Sequence, residues 1–484
     1  MTRAQQKTKI EYGDFQTPID LAEKVCEKLA SLGVNPDLII EPTCGIGNFV
    51  DAASRIFQLT PKIIGVEINP LYVQAIKNKK KLLCDCRISI KQGNFFDLNW
   101  SALIDDACQN ILILGNLPWV TNSQQGKIRG VNLPTKVNFQ KHKGLDAITG
   151  KSNFDISEWM LIDLINRLQG RNGYLAILCK TAVARKILNH LRLKKLNLSF
   201  SAIYKIDTKK YFGTTVDAGL FFCDFSEKTR TYFCSVFEDL ETSSFKQIGY
   251  YNETLVRDIR SLKKVSFLWD KKSNTKWRSG VKHDCSRVMQ LCKVDNSLIN
   301  GLGKVVDIED NYVFPLLKGS DVAKGKVEQT DKYILVPQSR IGEPTEQIKK
   351  DAPKTWQYLI AHAEYLDSRK SKIYQNNPRF SVFGVGDYTF KPWKIAICGL
   401  YKKLDFRLVG EIENKSTIFD DTVYFISFDN EKLARTTFES LLSQPAIAFY
   451  SSLIFWDEKR PIKTGILNRL NLERLREIPH RSQI

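Results

Sequence analysis

The sequence predicts an α/β fold, a doubly wound seven-stranded sheet, followed by a C-terminal mixed α+β domain. Three observations predict it. Short β-rich runs alternate with helical patterns through the first half, the first of those runs ends in a glycine-rich turn, and the alternation stops near residue 255. At 484 residues the chain exceeds one ordinary core, so two domains are expected, 1–255 and 256–484.

The opening helix is predicted by "PIDLAEKVCEKLASLG" (18–33), where apolar residues recur at three- and four-residue intervals. Seven strand-like runs follow: "LIIE" (38–41), "IIGVEI" (63–68), "ISIKQ" (88–92), "ILILG" (111–115), "GYLAILC" (173–179), "FSAIYKI" (200–206) and "GLFFC" (219–223). Helices are predicted between them by "NPLYVQAIKNKKKLL" (69–83) and by "DISEWMLIDLINRLQG" (155–170), the latter stopped by a glycine. The pattern is that of a Rossmann-like, mainly parallel sheet. In such sheets ligands bind beyond the carboxyl ends of the strands, near the switch in strand order.

One long break interrupts the pattern. Residues 121–151 carry six Lys or Arg against one acidic residue, and a connection this long in a compact domain is expected to be functional. From residue 260 a basic, aromatic-rich region begins, and near its end "EKLARTTFESLLSQPAIAFYSSLIFW" (431–456) predicts two amphipathic helices.

Composition narrows the function. Hydrophobic residues make up 43%, enough for packed cores, yet no apolar run approaches the roughly 20 residues of a membrane span. The start "MTRAQQKTKI" has no signal-peptide apolar region, so a cytoplasmic protein is expected. Eleven cysteines are scattered singly, which favours reduced thiols. No metal site is expected, since Cys84-Asp-Cys86 has no matching pair and His283 and Cys285 lie far along the chain. The net charge of +19 points to a polyanionic partner such as nucleic acid.

The strand ends carry the chemistry. "EPTCGIGNF" (41–49) follows the first strand, and Gly45 and Gly47 allow a tight turn toward a ligand at a helix start. The third glycine of a dinucleotide fingerprint and the Gly-Lys-Ser/Thr of a triphosphate site are both missing. Glu67 ends the second strand, where a carboxylate can accept both hydroxyls of a ribose. Asn94 and Phe95 follow the third, offering a carboxamide for the edge of a flat heterocycle and a ring for its face. The fourth strand ends in Asn116-Leu117-Pro118-Trp119, a carboxamide, a rigid proline and an indole expected to be exposed. No Gly-x-Ser-x-Gly elbow accompanies the five histidines.

In this order the motifs over residues 10–225 resemble the class I S-adenosylmethionine-dependent methyltransferases, specifically the amino-methylating DNA methyltransferases, whose fourth-strand motif is Asn, Asp or Ser followed by Pro-Pro and an aromatic. "YGDFQTPIDLAEKV" (12–25) looks like their N-terminal cofactor motif, with Thr17 and Pro18 at the matching positions, and its place ahead of the glycine turn matches the γ arrangement of N6-adenine enzymes. The resemblance implies S-adenosyl-L-methionine as cofactor, held by Thr17, Pro18, Glu41, Pro42, Thr43, Cys44, Gly45, Gly47, Glu67, Asn94 and Phe95. It implies methyl transfer to adenine N6 of a base flipped out of double-stranded DNA. Asn116 and the backbone carbonyl of Leu117 would hold the amine beside Pro118, and Trp119 and Phe212, from "KKYFGTTVDAGLFF" (209–222), would sandwich the base. Leu117 stands where the family has one of its two prolines, ahead of the retained Pro118.

A C-terminal target-recognition domain is implied by the same resemblance, with Arg278 and Lys282 in "WRSGVKHD" and Arg379, Lys391 and Lys394 in 376–403 as DNA contacts, joined by Lys127, Arg129, Lys136, Lys141 and Lys143 of the basic loop. It further implies a monomer in a prokaryotic restriction–modification system with a cognate restriction endonuclease. N4-cytosine methylation, methylation of RNA or of a protein glutamine, and a non-catalytic DNA-binding subunit remain as alternatives.

Overall fold

A computed structural model describes residues 15–104, 110–120, 155–270 and 276–478. The chain divides into two units, Met1–Ile259 and Arg260–Ile484.

In the first unit all seven runs form strands, displaced by no more than one residue at either end: β1 (Leu38–Glu41), β2 (Lys62–Glu67), β3 (Ile88–Gln92), β4 (Asn110–Asn116), β5 (Asn172–Lys180), β6 (Phe200–Lys205) and β7 (Ala218–Asp224). Three further strands, β8 (Cys234–Phe237), β9 (Phe245–Tyr251) and β10 (Thr254–Val256), extend the sheet to ten, in the order β10-β9-β8-β6-β7-β5-β4-β1-β2-β3. The seven-stranded expectation is thereby corrected. The cause is burial: β9 buries only Ile248 and Gly249, so this edge extension has no apolar run to announce it.

β3, β2, β1, β4 and β5 run parallel, and β7 inserts antiparallel between β5 and β6. Every residue of β1 is buried, as expected of a central strand with helices on both faces. The strand order reverses at β1, between β2 and β4. A crevice therefore opens at the carboxyl ends of β1 and β4.

Helices α1 (Ile19–Ser31), α2 (Asn48–Ile56), α3 (Pro70–Lys77), α4 (Ile156–Leu168) and α5 (Thr181–Leu193) cover the sheet. α1 buries Leu21, Ala22, Val25, Cys26 and Leu29, a stripe at helical spacing. The helix expected over 69–83 is broken: α3 ends at Lys77, and a second turn begins at Lys80. Lys79 leaves the helix because its ammonium donates to the Ile46 carbonyl at 2.8 Å and to Asn48 Oδ1 at 3.1 Å.

The second unit holds two sheets. β11 (Arg278–Ser279), β17 (Trp393–Cys398), β18 (Arg407–Val409) and β20 (Val423–Phe428) form one, in the order β11-β20-β17-β18. The other is built from β12 (Gln290–Val294), β13 (Ser297–Asn300), β14 (Val305–Val306), β15 (Val313–Leu317), β16 (Lys332–Leu335) and β19 (Ile418–Phe419). The two late helices form as α6 (Glu431–Leu441) and α7 (Gln444–Leu453), and α6 packs on the four-stranded sheet.

Gly219 marks the tightest approach in the first unit's antiparallel region, since a Cβ there would sit 2.4 Å from the Tyr204 carbonyl oxygen. Gly219→Ala should force β6 and β7 apart and destabilise this unit by roughly 1–3 kcal/mol, seen as a lower denaturant midpoint. An unchanged midpoint would show that the two strands separate freely.

Candidate functional site

The carboxyl ends of β1 to β4 open into a cleft of about 1010 Å³, part of it open to solvent. Of the expected residues, Thr17, Glu41, Pro42, Thr43, Cys44, Gly45, Glu67, Asn94, Phe95, Asn116 and Pro118 line it. Pro18 and Gly47 are not among its lining residues. Pro18 caps α1, and Gly47, with φ +80°, caps α2. Their contribution is to the turns that bring their neighbours to the cleft.

The glycine turn is drawn in from two sides. Glu67 Oε2 accepts the Gly45 N–H at 2.7 Å, its other oxygen accepts the Asn69 N–H at 2.7 Å, and Gln16 Oε1 accepts the Ile46 N–H at 3.0 Å. Glu67 thus anchors the turn as well as facing the cleft. Gly45 has φ +54°, and a Cβ on it would fall 2.2 Å from Gln16 Oε1, so only glycine fits there without displacing Gln16.

Glu41 is buried and accepts the Val50 N–H at 3.1 Å. Burial drives its carboxyl well above the usual carboxylate range. Burial likewise raises the Cys44 thiol, which packs rather than reacts. Asn94 Oδ1 accepts the Phe96 N–H at 3.3 Å. Phe95 is buried in an aromatic cluster, edge-on to Trp100 at 5.1 Å and to Phe96 at 5.6 Å. Phe96, half-exposed, lines the cleft beside it. A backbone-lined turn, a strand-end acid and a carboxamide beside aromatic rings are groups that could hold an adenosine-bearing cofactor.

Asn116 is the most informative side chain. Its Nδ2 donates to the Phe15 carbonyl at 3.1 Å and lies 3.3 Å from Thr17 Oγ1, while its backbone carbonyl accepts the Thr43 hydroxyl at 3.1 Å. Its side-chain oxygen is buried and accepts no hydrogen bond from the described residues.

Two expectations about the neighbouring aromatics are corrected. Trp119 is 6% exposed, not an exposed indole, and its N–H donates to the Leu178 carbonyl at 3.3 Å. It packs with Phe15 at 5.8 Å and with Phe212 at 5.2 Å and 65°. Because Trp119 and Phe212 touch edge to face, they leave no slot for a flat ring between them, and neither is among the cleft's lining residues. The Leu117 side chain is buried as well.

Several lining residues were missed by sequence reasoning: Phe15, Gln16, Asn48, Asn69, Tyr72 and Phe96. Phe15 and Gln16 stand directly before Thr17, so their adjacency to the N-terminal motif was the available signal. Tyr72 carried none.

Among the expected DNA contacts, Lys127, Arg129, Lys136, Lys141 and Lys143 lie outside the described residues. Arg278 is exposed and stacks over Tyr388 at 5.0 Å. Lys282 sits 3.4 Å from Asp284, and Arg379 and Lys391 pair with Asp367 and Asp429 at 2.5 and 2.7 Å. Lys394 is corrected outright. It is 1% exposed, its ammonium donates to the Lys391 carbonyl at 2.7 Å, and burial lowers its pKa to about 7. It faces a core and not a phosphate.

No family model matches the chain. It is 61% identical over 473 residues to the type II methyltransferase M.NspV of Nostoc sp., an alignment covering 98% of each chain. A 79-residue stretch, 16% of this chain and 20% of the relative, is 34% identical to the type II methyltransferase M.CvrRI of Paramecium bursaria Chlorella virus XZ-6E. Among solved structures, the type IIL restriction-modification enzyme MmeI in complex with DNA superposes with a TM-score of 0.55 at 12% identity. That match covers 93% of this chain and 64% of MmeI, and shows a shared fold. No helix among the described residues is long and apolar enough to cross a membrane.

The Lys394 finding sets a pH test. An amine whose folded pKa lies below its unfolded value costs stability in full below the folded pKa, and the cost fades as pH rises from about 7 toward the unfolded value of 10.5. Lys394→Met should therefore stabilise the second unit by on the order of a few kcal/mol at pH 6, with the gain shrinking toward pH 10 in denaturant titrations. An equal gain at both pH values would show that charge is not the cause.

Proposed function

The chain belongs to the type II methyltransferases, and from that membership we propose that it is the modification enzyme of a restriction–modification system. On this reading it transfers a methyl group from S-adenosyl-L-methionine to adenine N6 in double-stranded DNA, and a cognate endonuclease is its biological companion. The shared fold with MmeI supports DNA as the substrate, as does the net charge of +19.

The observation that carries the proposal is the orphan oxygen of Asn116. With Nδ2 committed to Phe15 and placed beside Thr17, the carboxamide presents only an acceptor. A buried acceptor without a donor costs about 1–3 kcal/mol, a cost relieved by a ligand that brings an N–H. An exocyclic amine brings two: one hydrogen goes to Asn116 Oδ1, the other to the Leu117 carbonyl. This arrangement turns the nitrogen lone pair away from both acceptors.

When bound, S-adenosyl-L-methionine supplies an electrophilic methyl on a sulfonium centre. The chain's own task is to orient the amine toward it and to stabilise the positive charge that develops on nitrogen. The surplus proton leaves the amine after the methyl has bonded. On this reading Glu41 and Glu67 shape the cofactor side of the cleft, Asn94 and Phe96 offer the edge and face for its heterocycle, and Phe15 and Pro118, which line the cleft beside Asn116, bound the amine. The base reaches this depth only when flipped from the duplex, at a cost of about a few kcal/mol.

Labelled S-adenosyl-L-methionine and unmodified genomic DNA, followed by nucleoside analysis, test the reading. N6-methyladenine is the expected product. N4-methylcytosine would change the base while keeping the amine chemistry, and label confined to RNA or protein would overturn the substrate. Asn116→Ala should lower kcat by at least about a hundredfold with DNA and cofactor affinity held within about tenfold. Unimpaired turnover would remove Asn116 from the site.

A further inference from the structure

We infer that Lys180 is a positioning residue for methyl transfer, clamping with Asp155 the backbone that carries Asn116, Leu117 and Trp119. The inference rests on the proposed role of Asn116 and Leu117 as acceptors of the amine.

Lys180 is the last residue of β5, and the parallel register pairs Asn116 with Leu178, so Lys180 stands beside the chain that leaves β4. Its ammonium donates to the Trp119 carbonyl at 3.2 Å and to Asp155 Oδ2 at 2.5 Å. Asp155 is 5% exposed, and the Lys180 side chain 21%. A solvated lysine would hold its ammonium in water. This one turns inward, onto a backbone oxygen three residues past the amide that faces the cleft.

Asp155 is fixed from its other side, where Oδ1 accepts the Ser157 hydroxyl at 2.6 Å and lies 3.2 Å from the Ser157 nitrogen at the start of α4. Next to it the Ile156 N–H donates to the Val120 carbonyl at 2.9 Å. The Trp119 indole N–H bonds Leu178, and the Thr43 hydroxyl bonds the Asn116 carbonyl. Between residues 116 and 120, then, the backbone oxygens of Asn116, Trp119 and Val120 are all held. Lys180 supplies the middle of these holds, and it joins β5, α4 and the segment after β4 at one ammonium.

The clamp also answers what replaces the family's proline at position 117. Proline restrains φ covalently; leucine does not, so although Pro118 keeps Leu117 extended, the φ that sets its carbonyl's direction depends on what fixes the chain on either side of it. Thr43 fixes one side and Lys180 the other.

The test compares methyl-transfer kinetics of the full-length protein and its variants. Lys180→Met should lower kcat by about a hundredfold, the scale of loss from misplacing reacting groups by an ångström, with KM for DNA and for S-adenosyl-L-methionine within about threefold. Lys180→Arg, which can donate to both oxygens, should restore most of the loss. Because Lys180→Met leaves a buried carboxylate without its partner, the K180M/D155N double variant is measured in parallel, with thermal midpoints for all; it removes both charges and should stay folded while showing the same kcat loss. A folded double variant with wild-type kcat, or a loss confined to KM, overturns the clamp. A wild type that transfers no methyl group to DNA overturns the functional reading and the clamp with it, whereas an active wild type with unaffected variants overturns the clamp alone.

Discussion

The Asn116 carboxamide, held through its nitrogen, is the constraint on which the site depends. Its nitrogen bonds the Phe15 carbonyl and faces the Thr17 hydroxyl, so the end of β4 is tied to the segment that feeds α1. That segment in turn reaches the glycine turn, since Gln16 receives the Ile46 N–H and Asn48 donates to the Thr17 carbonyl. Three separate stretches of sequence are thereby locked around the switch point of the sheet. The locked geometry commits the amide nitrogen to Phe15 and Thr17 and leaves the oxygen as the atom without a partner among the described residues.

The arrangement places unfavourable groups where a ligand can relieve them. The Asn116 oxygen is buried without a donor, and Glu41 is buried deeply enough that its charged form is strongly disfavoured. Each is a destabilising feature taken alone. They persist because β1, β4 and β5 are buried along nearly their whole length, and a sheet with that much apolar burial tolerates strain at its edge of order 1–3 kcal/mol per group. These groups lie where the strands end and backbone hydrogen bonding gives way to side chains.

The fold was legible wherever burial imposed an uninterrupted apolar run. β1, β2 and β4 to β7 are largely such runs, β3 was read from a shorter alternating run with no buried residue, and the ends of all seven were readable to a residue. β8 to β10 were not, because an edge extension is half-solvated and its composition resembles a loop. The break at Lys79 escaped detection because it is made by bonds to Ile46 and Asn48, residues more than thirty positions away. In the site, residues immediately following strands were legible, since topology alone brings strand ends together. Exposure was not: Trp119 looks available in sequence, yet the Leu178 carbonyl and the rings of Phe15 and Phe212 enclose it. Lys394 misled for a related reason. It lies in a strand, Trp393–Cys398, buried on both faces after its first residue, so a cation there cannot alternate outward.

The position of Leu117 shows how a covalent restraint and a noncovalent one can serve the same geometry. A proline would confine its own φ and that of the residue before it would be biased toward extended backbone, which directs a carbonyl with no help from the rest of the fold. Leucine offers neither restraint, but it keeps an N–H and brings a side chain that is 1% exposed, so packing anchors its Cα while hydrogen bonds anchor its neighbours. Such a site is only as well aligned as the elements that supply those bonds: the turn after β1 through Thr43, β5 through Lys180 and α4 through Ile156. Alignment of the Asn116–Trp119 segment then becomes a property of the assembled sheet instead of the motif. It follows that a displacement remote from the cleft, at the β5–α4 junction, reaches the Asn116–Trp119 segment through the bonds of Lys180 and Ile156.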